Sequence, residues 1–285
     1  MYNDLILENA DGDQLRIGAD PPFQLSDISG LNPPSATINT SELALLDGAQ
    51  YNSSKMNMRQ ILIAFAVCSP AEQNRLAIYK VLRSKQYVKL IYRSDTRNVY
   101  AEGYVQSAQI TMMAMKQVCT ATILCPSPYL MGAQEIVNEL TSIAKKFHFP
   151  FHSEATPEIV FGTLQTNTGV TITNDGDLEC GMVIELYAKA PLTDPTIYNY
   201  ISQESFGLIW SMQTADLITI DTRSGLKSVK LLRSGVETNL VNYIKQGSEW
   251  LQLPPNGGTF VYTVGTGSVN NLTVTFRHVP LFEGV

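Results

Sequence analysis

The sequence of 285 residues holds only three histidines, two tryptophans and four cysteines, and charged side chains make up just 16% of it. Each scarcity excludes something. An average globular chain is about 25% charged, so this is not the charge-laced surface of a helical enzyme. Cys68, Cys119, Cys125 and Cys180 form no CxxC pair and fit no zinc spacing. They read as reduced, buried thiols of a protein made in a cytoplasm. The opening MYNDLILENADGDQLRIGAD lacks a basic segment followed by an apolar one, so no secretion signal is expected. The longest apolar run, residues 61–68, is strand-sized, well short of the roughly 18 residues of a membrane helix, so no membrane insertion is expected. A net charge of −6 argues against nucleic-acid binding by the whole surface.

Catalytic and cofactor patterns are equally sparse. There is no GxSxG elbow, no GxxxxGK[ST] loop and no GxGxxG between strand and helix. A nucleophilic triad would need His148, His152 or His278, none of which sits in a recognisable signature. Asn174-Asp175-Gly176-Asp177 reads as a hairpin turn rather than a calcium loop. Asp216 and Asp221 flank one strand at odd spacing, which places them on opposite faces. No enzyme, cofactor or metal site is expected.

What fills the sequence instead is uncharged polarity: 77 residues are Thr, Ser, Asn or Gln, and 13 are Tyr. That composition suits exposed β-sheet and large assembled interfaces. Strands are expected at 56–67, 87–93, 99–105, 169–173, 182–189, 197–203, 207–213, 217–222, 227–233, 259–264 and 271–277, separated by Gly-, Asn- and Asp-rich turns. Short strands at this spacing predict β-sandwiches or barrels. Ser69-Pro70-Ala71-Glu72 reads as a capping box opening a helix to about Ser84, with Ala77, Ile78, Val81 and Leu82 on its buried face. A second helix is expected over 133–146. Paired prolines at Pro126 and Pro128 close the first strand-rich block. The domains expected are 1–132, a helical and aromatic connector at 133–156, and 157–285.

Charge is segregated. Residues 1–47 hold eight acids and one base, whereas 55–97 hold nine bases and two acids. The two blocks suit complementary contact, within one chain or between copies. Asp11, Asp13, Asp20 and Asp27 against Arg75, Lys80, Arg83 and Lys85 are the expected ring-interface residues.

Several stretches, in order, resemble one family: Leu5-Ile6-Leu7-Glu8-Asn9 with Gly12, Leu46-Asp47-Gly48-Ala49, RLAIYKVL at 75–82, YVKLIY at 87–92, AEGYV at 101–105 and CPSPY at 125–129. The second half adds ITNDGDLECG at 172–181, DLITIDT at 216–222, Ser228-Val229, NLVNYI at 239–244, SEWLQLP at 248–254 and Gly284. The chain resembles the distal tail proteins of long-tailed, non-contractile bacteriophages, the siphovirus tail component family, across essentially its whole length. The resemblance implies a mainly β protein, with an N-terminal belt domain carrying one packed helix and a C-terminal galectin-like jelly-roll sandwich. It implies a homo-hexameric ring at the virion tail tip, assembled in the host bacterial cytoplasm. That ring would join the tail tube protein to a tail-tip hub protein, with a receptor-binding protein as a further partner and DNA only as passing cargo. No His-x-Asn-x-Arg cluster is present, so sugar binding does not carry over from galectins. Two rivals stand beside this reading. One is a carbohydrate-binding adhesin using Trp210 or Trp250; the other is a hydrolase whose carboxylates, such as Asp216 and Glu185, the fold brings together.

Overall fold

The computed structural model describes residues 4–42, 47–112, 117–140, 143–145, 162–164 and 169–285. The chain divides into two compact units, Met1–Gln134 with Leu281–Val285, and Glu135–Pro280. Both are built from antiparallel β-sheet, so the expectation of a mainly β chain holds. Among the described residues no helix is long and apolar enough to cross a membrane.

In the first unit the strands are β1 (Asp4–Asn9), β2 (Gln14–Ile17), β3 (Phe23–Ser29), β4 (Ala36–Glu42), β5 (Ala49–Met56) and β6 (Arg59–Val67). Helix α1 (Ala71–Val81) follows, then β7 (Tyr87–Arg93), β8 (Asn98–Ile110), β9 (Gln117–Cys125) and β10 (Leu130–Gly132). The main sheet runs β2-β1-β7-β8-β9-β6-β3. Its two end strands meet at a bridge between Gly18 and Gln24, so the sheet curls back on itself. Period-two alternation explains the inside: Ile61, Ile63, Phe65 and Val67 of β6 are all buried, with Phe65 edge-on to Phe23.

Helix α1 differs from the expectation at both ends. Pro70 occupies the N-cap position without a side-chain cap, and Glu72 pairs with Arg75 at 3.6 Å instead of closing a box. Ile78, Val81 and Leu82 are buried as expected, but Ala77 is exposed.

The second unit is a two-layer sandwich. One layer orders Ile136–Leu140, Leu272–His278, Cys180–Ala188, Leu217–Asp221, Ser228–Arg233 and Val236–Asn239. The other orders Gly169–Ile172, Gly258–Thr263, Thr196–Asn199 and Ser205–Gly207. Phe260 of the second layer packs on Phe276 of the first at 5.1 Å between ring centroids.

Three sequence expectations are corrected here. The helix expected over 133–146 is replaced, in its described part, by the strands Ile136–Leu140 and Ile143–Lys145. Pairing of Ile136–Leu140 with Leu272–His278 satisfies its backbone through the sheet, and the β-branched Ile136 and Val137 favour that outcome. Residues 146–156 of the expected connector, with His148 and His152, lie outside the described residues. The Asn174–Asp177 turn does not close a hairpin: Gly169–Ile172 and Cys180–Ala188 belong to different layers, and the turn carries the chain across. Finally, Leu281–Val285 belong to the first unit and not to a 157–285 domain. Leu281–Phe282 pairs with β10, and four carbonyls around it bind one buried guanidinium.

That guanidinium is Arg59, 2% exposed. It donates to Pro128 O at 2.8 Å, Asn32 O at 2.9 Å, Glu283 O at 2.7 Å and Gly30 O. Burial pulls its pKa below the usual guanidinium range. Four charge-assisted bonds offset a desolvation that an unpaired buried charge could not bear. Gly30 holds φ at +90°, and a Cβ there would sit 2.0 Å from Gln60 O. Only glycine fits that corner.

Candidate assembly interface

Outside these cores one element of the first unit stands apart. The ribbon β4–β5 pairs from Ala36 with Met56 to Glu42 with Ala49, and its described residues from Ala36 to Lys55 are all exposed. Polar side chains cross-link it: Asn39 Nδ2 donates to Ser53 Oγ at 3.0 Å and Ser41 Oγ to Asn52 Oδ1 at 3.1 Å. It still leaves Ile38 63% and Tyr51 61% exposed. A two-stranded ribbon with free edges is marginal alone in water and is a template for pairing. Helix α1 adds a second uncovered apolar face, with Leu76 60% exposed and Tyr79 exposed beside it in the helix.

Of the eight charged residues expected at a ring interface, the structure brings two together in one chain. Lys80 Nζ lies 2.5 Å from Asp13 Oδ1. Hydrogen bonds from Lys80 and then Asn9 hold the Asp13 carboxyl below the usual carboxylate range. Arg75 is half-buried against Glu72. Asp11, Asp20, Asp27, Arg83 and Lys85 are exposed. In this pair the acidic and basic blocks meet within the subunit.

The second unit carries a groove that sequence reading missed. It is formed where Leu192–Thr193 pairs with Ser211–Met212, Thr193 bridges Thr266, and the end of Ser228–Arg233 closes one side. Its two larger sections measure about 690 and 460 Å3 and share Thr193, Ser211 and Gln213. Arg233 grips Asp216 through Nε–Oδ1 at 2.8 Å and Nη2–Oδ2 at 2.5 Å, and Asp216 is 1% exposed. The Arg233 hydrogen bond, the backbone N–H of Gln213 and the guanidinium charge hold this carboxyl low against the opposing effect of burial. Trp210 forms part of the wall, 4.6 Å from Tyr243 between ring centroids, and its indole N–H is shielded without a protein acceptor.

The carboxylates singled out in the sequence are each held by an arginine. Asp216 is held by Arg233, Asp221 by Arg223 at 2.6 Å, and Glu185 by Arg277 at 3.2 Å. His278 is 2% exposed, and burial pushes its pKa down. Asn174 closes its turn locally, accepting from Gly176 N at 2.9 Å and donating to Leu178 O at 2.9 Å. Among the described residues no three His, Cys, Asp or Glu side chains are grouped to hold a metal. Burial raises the Cys119 thiol to about 12, and Cys125 and Cys180 to about 11. Trp250, the other tryptophan, packs 5.1 Å from Phe206.

Residues 10–125 match the family model described as the phage tail protein RIFT-related domain. The whole chain then aligns with one particular solved protein. It shares its fold with the SPP1 Dit (gp 19.1) protein, described as a paradigm of the hub adsorption apparatus in phages infecting Gram-positive hosts. That match has a TM-score of 0.65 at 12% identity and covers 96% of this chain and 98% of Dit. It is similar also to a chain of the phage P2 baseplate in its activated conformation with Ca, with a TM-score of 0.56, 14% identity and complete coverage of both chains. No curated protein sequence matches the chain.

Proposed function

We propose that this protein is the structural hub of a phage or prophage tail tip. Six copies close into a ring, one face on the tail tube and the other on the tail-tip protein, and DNA passes through the opening. Its work is assembly, without bond-making chemistry, in a virion put together in the host cytoplasm. The observation that carries the reading is the end-to-end fold likeness to Dit, which spans both units.

The ribbon supports ring closure from physical grounds alone. A closed ring uses one surface patch against a different one, repeated around the axis. An exposed ribbon with unpaired edges and an uncovered helix face supply two such patches. Light scattering with negative-stain imaging, on the protein alone and with its tail tube protein, tests this. The expected particle is a hexamer of about 190 kDa with an open channel, from a 31.4 kDa chain. A monomer under both conditions would overturn the ring.

A further inference from the structure

The ribbon β4–β5 has two unlike faces. Its register places Ile38 opposite Ser54 and Thr40 opposite Tyr51, so the two exposed apolar side chains share one face. Asn39 opposite Ser53, Thr37 opposite Lys55 and Ser41 opposite Gln50 make the other face wholly polar. Half a turn of the ribbon about its own axis would exchange the two. Its described residues from Ala36 to Lys55 bury nothing that could resist such a turn. The direction of each face is therefore set where the ribbon joins the rest of the first unit.

Both legs of the ribbon are tied together at that root. Asn57 N donates to Ser35 O at 3.0 Å, Asn57 Nδ2 to Ser35 Oγ at 3.3 Å, and Thr37 Oγ1 to Asn57 Oδ1 at 2.8 Å. The tied legs are then fastened from outside the ribbon. Arg59, the first residue of β6, binds Gly30 O and Asn32 O in the leg that enters β4, and Glu283 O in the segment Leu281–Val285. Val285 N donates to Leu31 O at 3.3 Å. Gly284 lies so close to the same leg that a Cβ there would come within 3.0 Å of Pro33 Cδ and 3.2 Å of Leu31 O. Leu281–Phe282 pairs with β10, off the path of the main sheet, so that sheet does not need the segment for its own strand order.

We propose that Leu281–Val285, acting with Arg59, is a positioning element that sets which way the two faces of the ribbon point. The segment fixes the entering leg, the leg fixes the ribbon, and the face of Ile38 and Tyr51 is held ready for a neighbouring copy. That last step rests on the ring reading, whereas the positioning itself does not. Arg97 holds the segment in turn, bonded to Gly284 O with its guanidinium over the Phe282 ring.

The test is a pulsed spin-label distance measurement on the protein carrying Cys68→Ser. One label pair joins the ribbon to the main sheet, Gln50→Cys with Thr120→Cys, and a control pair lies within the sheet, Gln14→Cys with Thr120→Cys; all three sites are exposed. A single narrow distance is expected for both pairs. Deleting Leu281–Val285 should lose the narrow ribbon distance and leave the control pair unchanged. Arg59 keeps the carbonyls of Gly30, Asn32 and Pro128 in that variant, so its buried charge stays partnered. Arg59→Lys should broaden the ribbon distance less, since an ammonium cannot match the planar fork. An unchanged ribbon distance after the deletion overturns the proposal. Where the deletion loosens both pairs, Arg59→Lys decides: the ribbon distance alone broadens if the proposal holds, and both or neither broaden if it fails. Light scattering with the tail tube protein reads the consequence, loss of the hexamer in the deletion variant. A hexamer kept despite a broadened ribbon distance overturns the assembly role of the segment. An unaltered protein that forms no hexamer overturns the ring reading, and the distances still decide the positioning.

Discussion

Arg59 and Glu283 stand 224 residues apart in sequence, and the guanidinium of the first donates to the backbone carbonyl of the second at 2.7 Å. The same guanidinium reaches Gly30, Asn32 and Pro128, so one side chain gathers four backbone stretches. Arg97 adds a second hold on this segment, with a bond to Gly284 O and its guanidinium carbon 4.7 Å from the Phe282 ring centroid.

Arg59→Met should therefore destabilise the first unit by about 3 kcal/mol, because four backbone carbonyls lose their charged donor while the apolar stem is kept. Urea unfolding measures it. Arg59→Lys should recover only a part, since an ammonium cannot match the planar fork. A loss below about 0.5 kcal/mol would show that water replaces the guanidinium without penalty.

Ile38→Glu with Tyr51→Glu should leave the melting temperature of the isolated subunit nearly unchanged, because both side chains are already exposed. The same pair should abolish the ring in light scattering. A charged ribbon that still closes a hexamer would move the interface elsewhere.

Acid should weaken the second unit in two stages. Burial lowers the pKa of His278 in the folded state, so between that value and about 6.5 the unfolded chain binds more protons. Stability is complete above about pH 6.5 and falls as pH drops through that region. Asp216 has its folded pKa lowered by Arg233, so its contribution holds at neutral pH and is lost below about pH 4. His278→Gln should erase the first stage and Asp216→Asn the second, read by chemical denaturation across pH.

Thiol titration of the native protein at pH 8 should show one reactive cysteine. Cys68 is only partly buried, whereas the thiols of Cys119, Cys125 and Cys180 are held protonated by burial. All four should react once the chain is unfolded.

The sequence made some of this plain and hid the rest for physical reasons. Tyr87–Arg93 was legible because Val88 and Leu90 alternate with less buried residues, the period that a one-sided strand demands. The ribbon was invisible because its strands bury nothing within the subunit, so neither alternation nor apolar run marks it. Ile136–Leu140 read as helix because its partner, Leu272–His278, lies more than a hundred residues away and local propensity does not register it. Arg59 looked like one base in a basic block, since only the fold brings four carbonyls to it. The groove was beyond reach for the same reason: it gathers two-residue strands and turns from four distant stretches.

Leu281 lies opposite Met131 in the first unit's sheet, so the chain leaves that sheet and comes back to it on neighbouring strands. Everything from Glu135 to Pro280 is then, in topological terms, one very long loop on a finished scaffold. Such a cassette is exchangeable: a different domain, or a short linker, could be spliced between the same two strands without rewriting the scaffold. The pairing of Leu130–Gly132 with Leu281–Phe282 would stay the same through such an exchange.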